Sequence, residues 1–140
     1  MQTTEQLAEL IRKKHQILMQ LREIGRRQTD LVAGGEIAAL LKLLAGKQTL
    51  IAGLQDLEGK LKPYYAQNPD TRVWRSPADR ARCAQLAEEC NALLEEVVNL
   101  EKVGAERMNA RKSEVAEQLQ QVHAAAHVRS AYQAQQRNHA

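Results

Sequence analysis

The stretch Gly34–Leu61 constrains the fold more than any other. It reads Gly-Gly-Glu-Ile-Ala-Ala-Leu-Leu-Lys-Leu-Leu-Ala-Gly-Lys-Gln-Thr-Leu-Ile-Ala-Gly-Leu-Gln-Asp-Leu-Glu-Gly-Lys-Leu. A glycine pair opens it. A leucine seam follows at Leu40, Leu43, Leu50, Leu54, Leu57 and Leu61, with Lys47 on the same line. Residues three and four apart share one face of a helix. The stretch is therefore one arm of an antiparallel helical hairpin. A hairpin of this kind without catalytic groups points toward holding another helix.

The other arm precedes it. Thr3 or Thr4 can cap free N–H groups at a helix start, with Glu5 in the first turn. The apolar stripe runs Leu7, Leu10, Ile11, Ile17, Leu18, Leu21, Ile24, Leu31 and Val32, and within it Leu10, Ile17, Ile24 and Leu31 recur at sevens. Lys14 and Gln28 fall on the same stripe, where polar side chains snorkel or fix register. Gly34-Gly35 supplies the left-handed conformation that ends a helix. So short a connection makes the two helices antiparallel neighbours. Gly46 and Gly53 share a face of the second helix, which is expected where a neighbouring backbone comes close.

Pro63, Pro69 and Pro77 are the only prolines, and they bracket an irregular segment expected over 62–76. Tyr64, Tyr65 and Trp74 lie in it and are expected to plug one end of a bundle. The alternative is a recognition loop in which Arg72, Trp74 and Arg75 meet an acidic partner. Ser76-Pro77-Ala78-Asp79 is a strong helix start. The third helix can then run to about residue 135. Its seam is Cys83, Leu86, Cys90, Leu93, Val97, Leu100, Gly104, Met108, Val115, Leu119, Val122 and Ala126. The spacing slips between Gly104 and Met108, as at a stutter. At 1.5 Å per residue the helices measure ~45, ~40 and ~90 Å, so the first two shelter only about half of the third. Either the third helix breaks near Gly104–Ser113 and folds back, or its second half leaves Val115, Leu119, Val122, Ala126 and Tyr132 uncovered. An uncovered stripe marks a partner or self-association surface.

These patterns predict an all-α, elongated antiparallel bundle of three helices near 3–33, 35–61 and 77–135, as a single domain over 1–140. Leu10, Ile17, Ile24, Leu40, Leu54, Cys90, Leu93 and Val97 are expected to be buried together. Phe is absent and aromatics are 3% of the chain, a long-helix composition. A net charge of +3 with interspersed signs does not mark a nucleic-acid binder. Cys83 and Cys90 sit ~10 Å apart along one helix, too far for a bridge within it, and read as small buried apolar residues. The N-terminal residues lack the basic start and apolar core of a signal peptide, and no apolar run is expected to approach a membrane span. The expected setting is cytoplasmic. His123 and His127 are four apart and could both reach one metal, but nothing nearby in sequence completes a site, so surface histidines are expected. Glu88-Glu89 and Glu95-Glu96 form a solvated face. With no phosphate loop, nucleophile elbow or zinc motif, no enzyme, cofactor or metal is expected.

The first helix's stripe, the Gly34-Gly35-Glu36 corner, the run Leu40–Ile51 with Lys47, and the late Arg129-Ser130-Ala131-Tyr132-Gln133 together resemble the FlgN-type flagellar export chaperones. The resemblance spans about residues 7–132. It implies an ATP-independent chaperone that holds the helical C-terminal region of hook-associated proteins, which join hook to filament. It also implies delivery of that cargo to the cytoplasmic domain of the export gate. On this reading Val115, Leu119, Val122 and Ala126 contact cargo and Tyr132 contacts the gate. The alternative class is a structural coiled-coil protein that self-associates, as a homodimer, through the same stripe.

Overall fold

A computed structural model describes residues 3–138, with side chains described through residue 135. Among the described residues the protein is all-α. Helix α1 spans Thr4–Gly34, α2 spans Ile37–Tyr65, a 3-10 turn spans Pro69–Thr71, and α3 spans Pro77–Asn138.

Local chemistry sets most of the boundaries. Thr3 Oγ1 accepts from the Gln6 N–H at 3.1 Å, and Gln6 Oε1 accepts from the Thr3 N–H at 3.2 Å. This reciprocal pair satisfies two N–H groups that the first turn leaves open. Thr4 is not the cap; its hydroxyl donates to the Val73 carbonyl at 2.8 Å and ties the loop to α1. Gly35 adopts φ 68°, and the Gly35 and Glu36 N–H groups close back on Val32 and Leu31. A side chain at Gly35 would be strained there. Ser76 Oγ accepts from the Asp79 N–H at 3.1 Å and starts α3.

Helix α2 runs four residues beyond the expected end at 61, through Pro63. Pro63 breaks a helix only by removing one N–H and crowding one carbonyl, and here it falls within the helix's last turn. That turn is held from outside. Tyr64 is buried, its hydroxyl donates to Gln6 Oε1 at 3.2 Å, and Arg72 Nη2 donates to the Tyr64 carbonyl at 2.6 Å. The irregular segment therefore begins at 66 rather than 62. Trp74 packs half-buried on the core while Tyr65 is exposed, so two of the three aromatics plug the end.

The chain divides into two units at Gly104/Ala105, and α3 is continuous through both. In the first unit α1, α2 and residues 77–104 of α3 form a three-helix bundle. Lys14 meets Glu58 and Gln28 meets Lys47, so α1 and α2 run antiparallel. The Cys90 thiol lies against the Ile11 carbonyl, and Arg22 meets Glu96, so α1 and α3 run parallel.

The core is Leu7, Ile11, Leu18 and Leu21 from α1, Leu61 and Tyr64 from α2, and Cys83, Cys90, Leu93 and Val97 from α3. Leu40 is also buried, as expected along with Cys90, Leu93 and Val97. Leu10, Ile17 and Leu54 pack only partly buried beside the core, and Ile24 is likewise intermediate. The inward line of α1 is thus Leu7, Ile11, Lys14, Leu18, Leu21, Gly25 and Gln28, one step round from the expected repeat at sevens. At Gly25 α1 and α3 approach closely: a Cβ there would sit 3.1 Å from Leu100 Cβ. The expected approach at Gly46 is absent, with nothing within 4 Å, and Gly53 makes only ordinary contact with Ile17 at 3.4 Å.

Candidate functional site

The first unit places three polar residues inside. Lys14 Nζ lies 2.5 Å from Glu58 Oε1. Burial works against the Lys14 charge, but the Glu58 hydrogen bond and the nearby Tyr65 and Glu58 outweigh it and raise the pKa above 10.5. Lys47 donates to Gln28 Oε1 at 3.2 Å and pairs with Glu101, joining all three helices in one layer. These groups fix register. Cys83 and Cys90 are free and buried, and burial pushes both thiols up. Both cysteines therefore serve as packing residues.

Of the loop's cations, Arg72 is held by the structure while Arg75 makes only an exposed ion pair. Arg72 is taken up by the Tyr64 carbonyl and by Gln67 Oε1 at 3.4 Å, and Arg75 pairs with Glu5 at 2.6 Å. The packing of Tyr64 and Trp74 and the Arg72 bond favour the end plug, while Arg75 stays exposed.

In the second unit every described side chain from Ala105 to Gln135 is exposed. Val115, Leu119 and Val122 are 43%, 55% and 64% exposed, and Ala126 lies on the same line of α3. Steps of four, three and four keep the four on one face. Tyr132 is 61% exposed and falls roughly 100° round the helix from that stripe. The proposed cargo and gate contacts therefore occupy different faces of one helix. His123 and His127 are exposed, and among the described residues no three His, Cys, Asp or Glu side chains gather as a metal site.

A second apolar surface was not anticipated. Ile37 and Leu41 on α2 are 60% and 62% exposed, with Ala38, Ala45 and Ala52 also open. Beside them a groove between α1 and α2 is lined by Ile24, Leu31, Ala39 and Leu43, with Arg27, Asp30 and Lys42 at its rim. Helix α2 is also long enough to cross a membrane, and its most apolar 18-residue window, with mean hydropathy 1.5, is apolar enough by composition. This corrects the expectation that no run approaches a span. The signal was present in the sequence: α2 carries more leucine, isoleucine and alanine than one seam can use.

Compared with protein-family models, with curated proteins and with solved structures, the chain matches none.

Proposed function

We propose that the protein is a FlgN-type flagellar export chaperone. It works in the cytoplasm without ATP and without chemistry, and it does not bind nucleic acid. It holds the helical C-terminal region of a hook-associated protein on Val115, Leu119, Val122 and Ala126. Covering that region keeps the cargo from aggregating. Tyr132, on another face, then meets the cytoplasmic domain of the export gate. The observation that carries this reading is the exposed apolar stripe on 105–135, set beside the resemblance of the Gly34-Gly35 corner and the leucine-rich α2. An amphipathic helix laid on such a stripe completes a helical pair by burying both seams. Affinity is modest, because a disordered cargo end must order on binding.

The test is co-purification from a host carrying flagellar operons, identification of the bound protein, and affinity measurements on two variants. Truncation after Gly104 should abolish capture of the identified hook-associated protein. Tyr132→Ala should spare capture and weaken only the gate contact. Undiminished capture by the truncation moves the site to α1 and α2, and equal losses in Tyr132→Ala remove the division of labour. The second reading, a self-associating coiled coil, draws on the same stripe and requires a concentration-dependent dimer without cargo.

A further inference from the structure

We propose that the second unit selects an acidic partner helix, one whose short apolar seam is bracketed by carboxylates that meet Lys112 and Arg129. The inference rests on the chaperone reading, which puts the working surface on 105–135, and adds the chemistry of what that surface accepts.

The seam here runs Met108, Lys112, Val115, Leu119, Val122, Ala126 and Arg129 in alternating steps of four and three. That spacing keeps all seven on one face. Lys112 and Arg129 thus occupy seam positions at the two ends of the apolar block, ~26 Å apart along the axis. Both are exposed. The carboxylates lie elsewhere: at ~100° per residue, Glu106, Glu114 and Glu117 each fall more than about 100° from the centre of the stripe. Arg111 pairs with Glu114 at 3.7 Å. From Gln118 to Ala140 the sequence holds arginines and histidines and no acid. The seam face is therefore apolar and cationic, Glu106 and Glu117 lie on the opposite face, and Glu114 lies on the flank beside Arg111.

This arrangement disfavours a second copy of the chain. An antiparallel self-pair that stacks Leu119 on Val122 sets Lys112 of one copy against Arg129 of the other, at both ends. A parallel self-pair sets Lys112 against Lys112 and Arg129 against Arg129. Like charges at seam positions oppose either register. A lipid surface fits less well too. The stripe is one residue wide, Gln118 and His123 flank it, and residues 105–140 contain no Trp or Phe. Helices that lie in a membrane interface carry a broad apolar face with such aromatics. A partner helix with Glu or Asp opposite Lys112 and Arg129 satisfies both the apolar block and its cationic ends.

The experiment uses the full chain and two synthetic helical peptides of about three heptads with the same Leu/Val seam. One peptide carries Glu at both seam ends, the other Lys. Fluorescence anisotropy should show the Glu peptide binding about tenfold more tightly, since each of two like-to-opposite swaps is worth a few-fold. Added salt should narrow the gap. The double variant Lys112→Glu/Arg129→Glu should reverse the preference while leaving the unfolding midpoint of the first unit unchanged. Equal affinities for the two peptides overturn the charge selection and leave the chaperone reading standing. Failure of both peptides, with the hook-associated cargo still captured through α2, overturns both. Tighter binding to phosphatidylserine-containing vesicles than to the Glu peptide assigns the face to lipid instead, and a dimer in sedimentation without peptide assigns it to self-pairing.

Discussion

Three leucines on α2 differ in burial and should differ in the same order when cut to alanine. Leu61 is 0% exposed inside the core, Leu54 is partly buried beside it, and Leu41 is 62% exposed. Leu61→Ala removes three carbons and leaves a closed cavity, so it should cost about 3–5 kcal/mol. At Leu54 the side chain borders solvent. The transfer loss remains at ~2 kcal/mol, but water or neighbours relieve the cavity, so the total stays near that value. Leu41→Ala should stay within about 0.5 kcal/mol of the parent, because it leaves no hole and alanine favours the helix. Urea unfolding followed by Trp74 fluorescence is the assay. Trp74 is the sole tryptophan and packs against this core, so its signal reports the first unit. A loss above ~1 kcal/mol at Leu41, or a cost at Leu54 equal to that at Leu61, would mean that α2 turns another face to α1 and α3.

Gly25→Ala and Gly46→Ala should change stability in opposite directions. Each gains ~1 kcal/mol of helix propensity, but the new Cβ at Gly25 meets Leu100 Cβ at 3.1 Å while that at Gly46 meets nothing within 4 Å. Leu100 Cβ cannot move without its helix, so Gly25→Ala should lose about 1 kcal/mol net and Gly46→Ala should gain up to that amount, as read by thermal midpoints. Lys14 holds its proton more tightly folded than unfolded, so its contribution is fully present below the free-lysine value of 10.5 and is lost as pH rises through the higher folded value. The stability difference between the parent and Lys14→Met should therefore shrink above about pH 10.5. Cys83 and Cys90 are buried with raised thiols, so alkylation at neutral pH should be slow in native protein and rapid in urea, with mass spectrometry counting the adducts.

Much of the fold was legible because it is written in short range. The Thr3 and Ser76 caps, the Gly35 turn and the slip after Gly104 each depend on residues within a few positions. That slip falls where the chain divides into its two units. The inward face of α1 was not legible in the same way. Two lines at sevens compete there, one through Leu10, Ile17 and Ile24 and one through Leu7, Lys14, Leu21 and Gln28. The first is more apolar, yet the second faces in. Lys14 and Gln28 are tolerable inside only because Glu58 and Lys47 reach them from α2, and Gly25 only because Leu100 fills its place. Such partners lie on other helices and leave no mark in the local spacing. For the candidate site the stripe at Val115, Leu119 and Val122 could be read directly, because an uncovered helix face is a property of one element. The open face at Ile37 and Leu41 was missed, because recognising it requires knowing which side of α2 the bundle uses.

Two point variants separate those surfaces in the full chain. Leu119→Asp and Leu41→Asp each place a charge on an exposed position, so neither should disturb the core. Isothermal titration of each against the helical C-terminal region of the identified hook-associated protein decides between the faces. Leu119→Asp should abolish measurable binding, and Leu41→Asp should bind as the parent does. Binding retained by Leu119→Asp and lost by Leu41→Asp would contradict a cargo site on the second unit and place it on the outer face of α2.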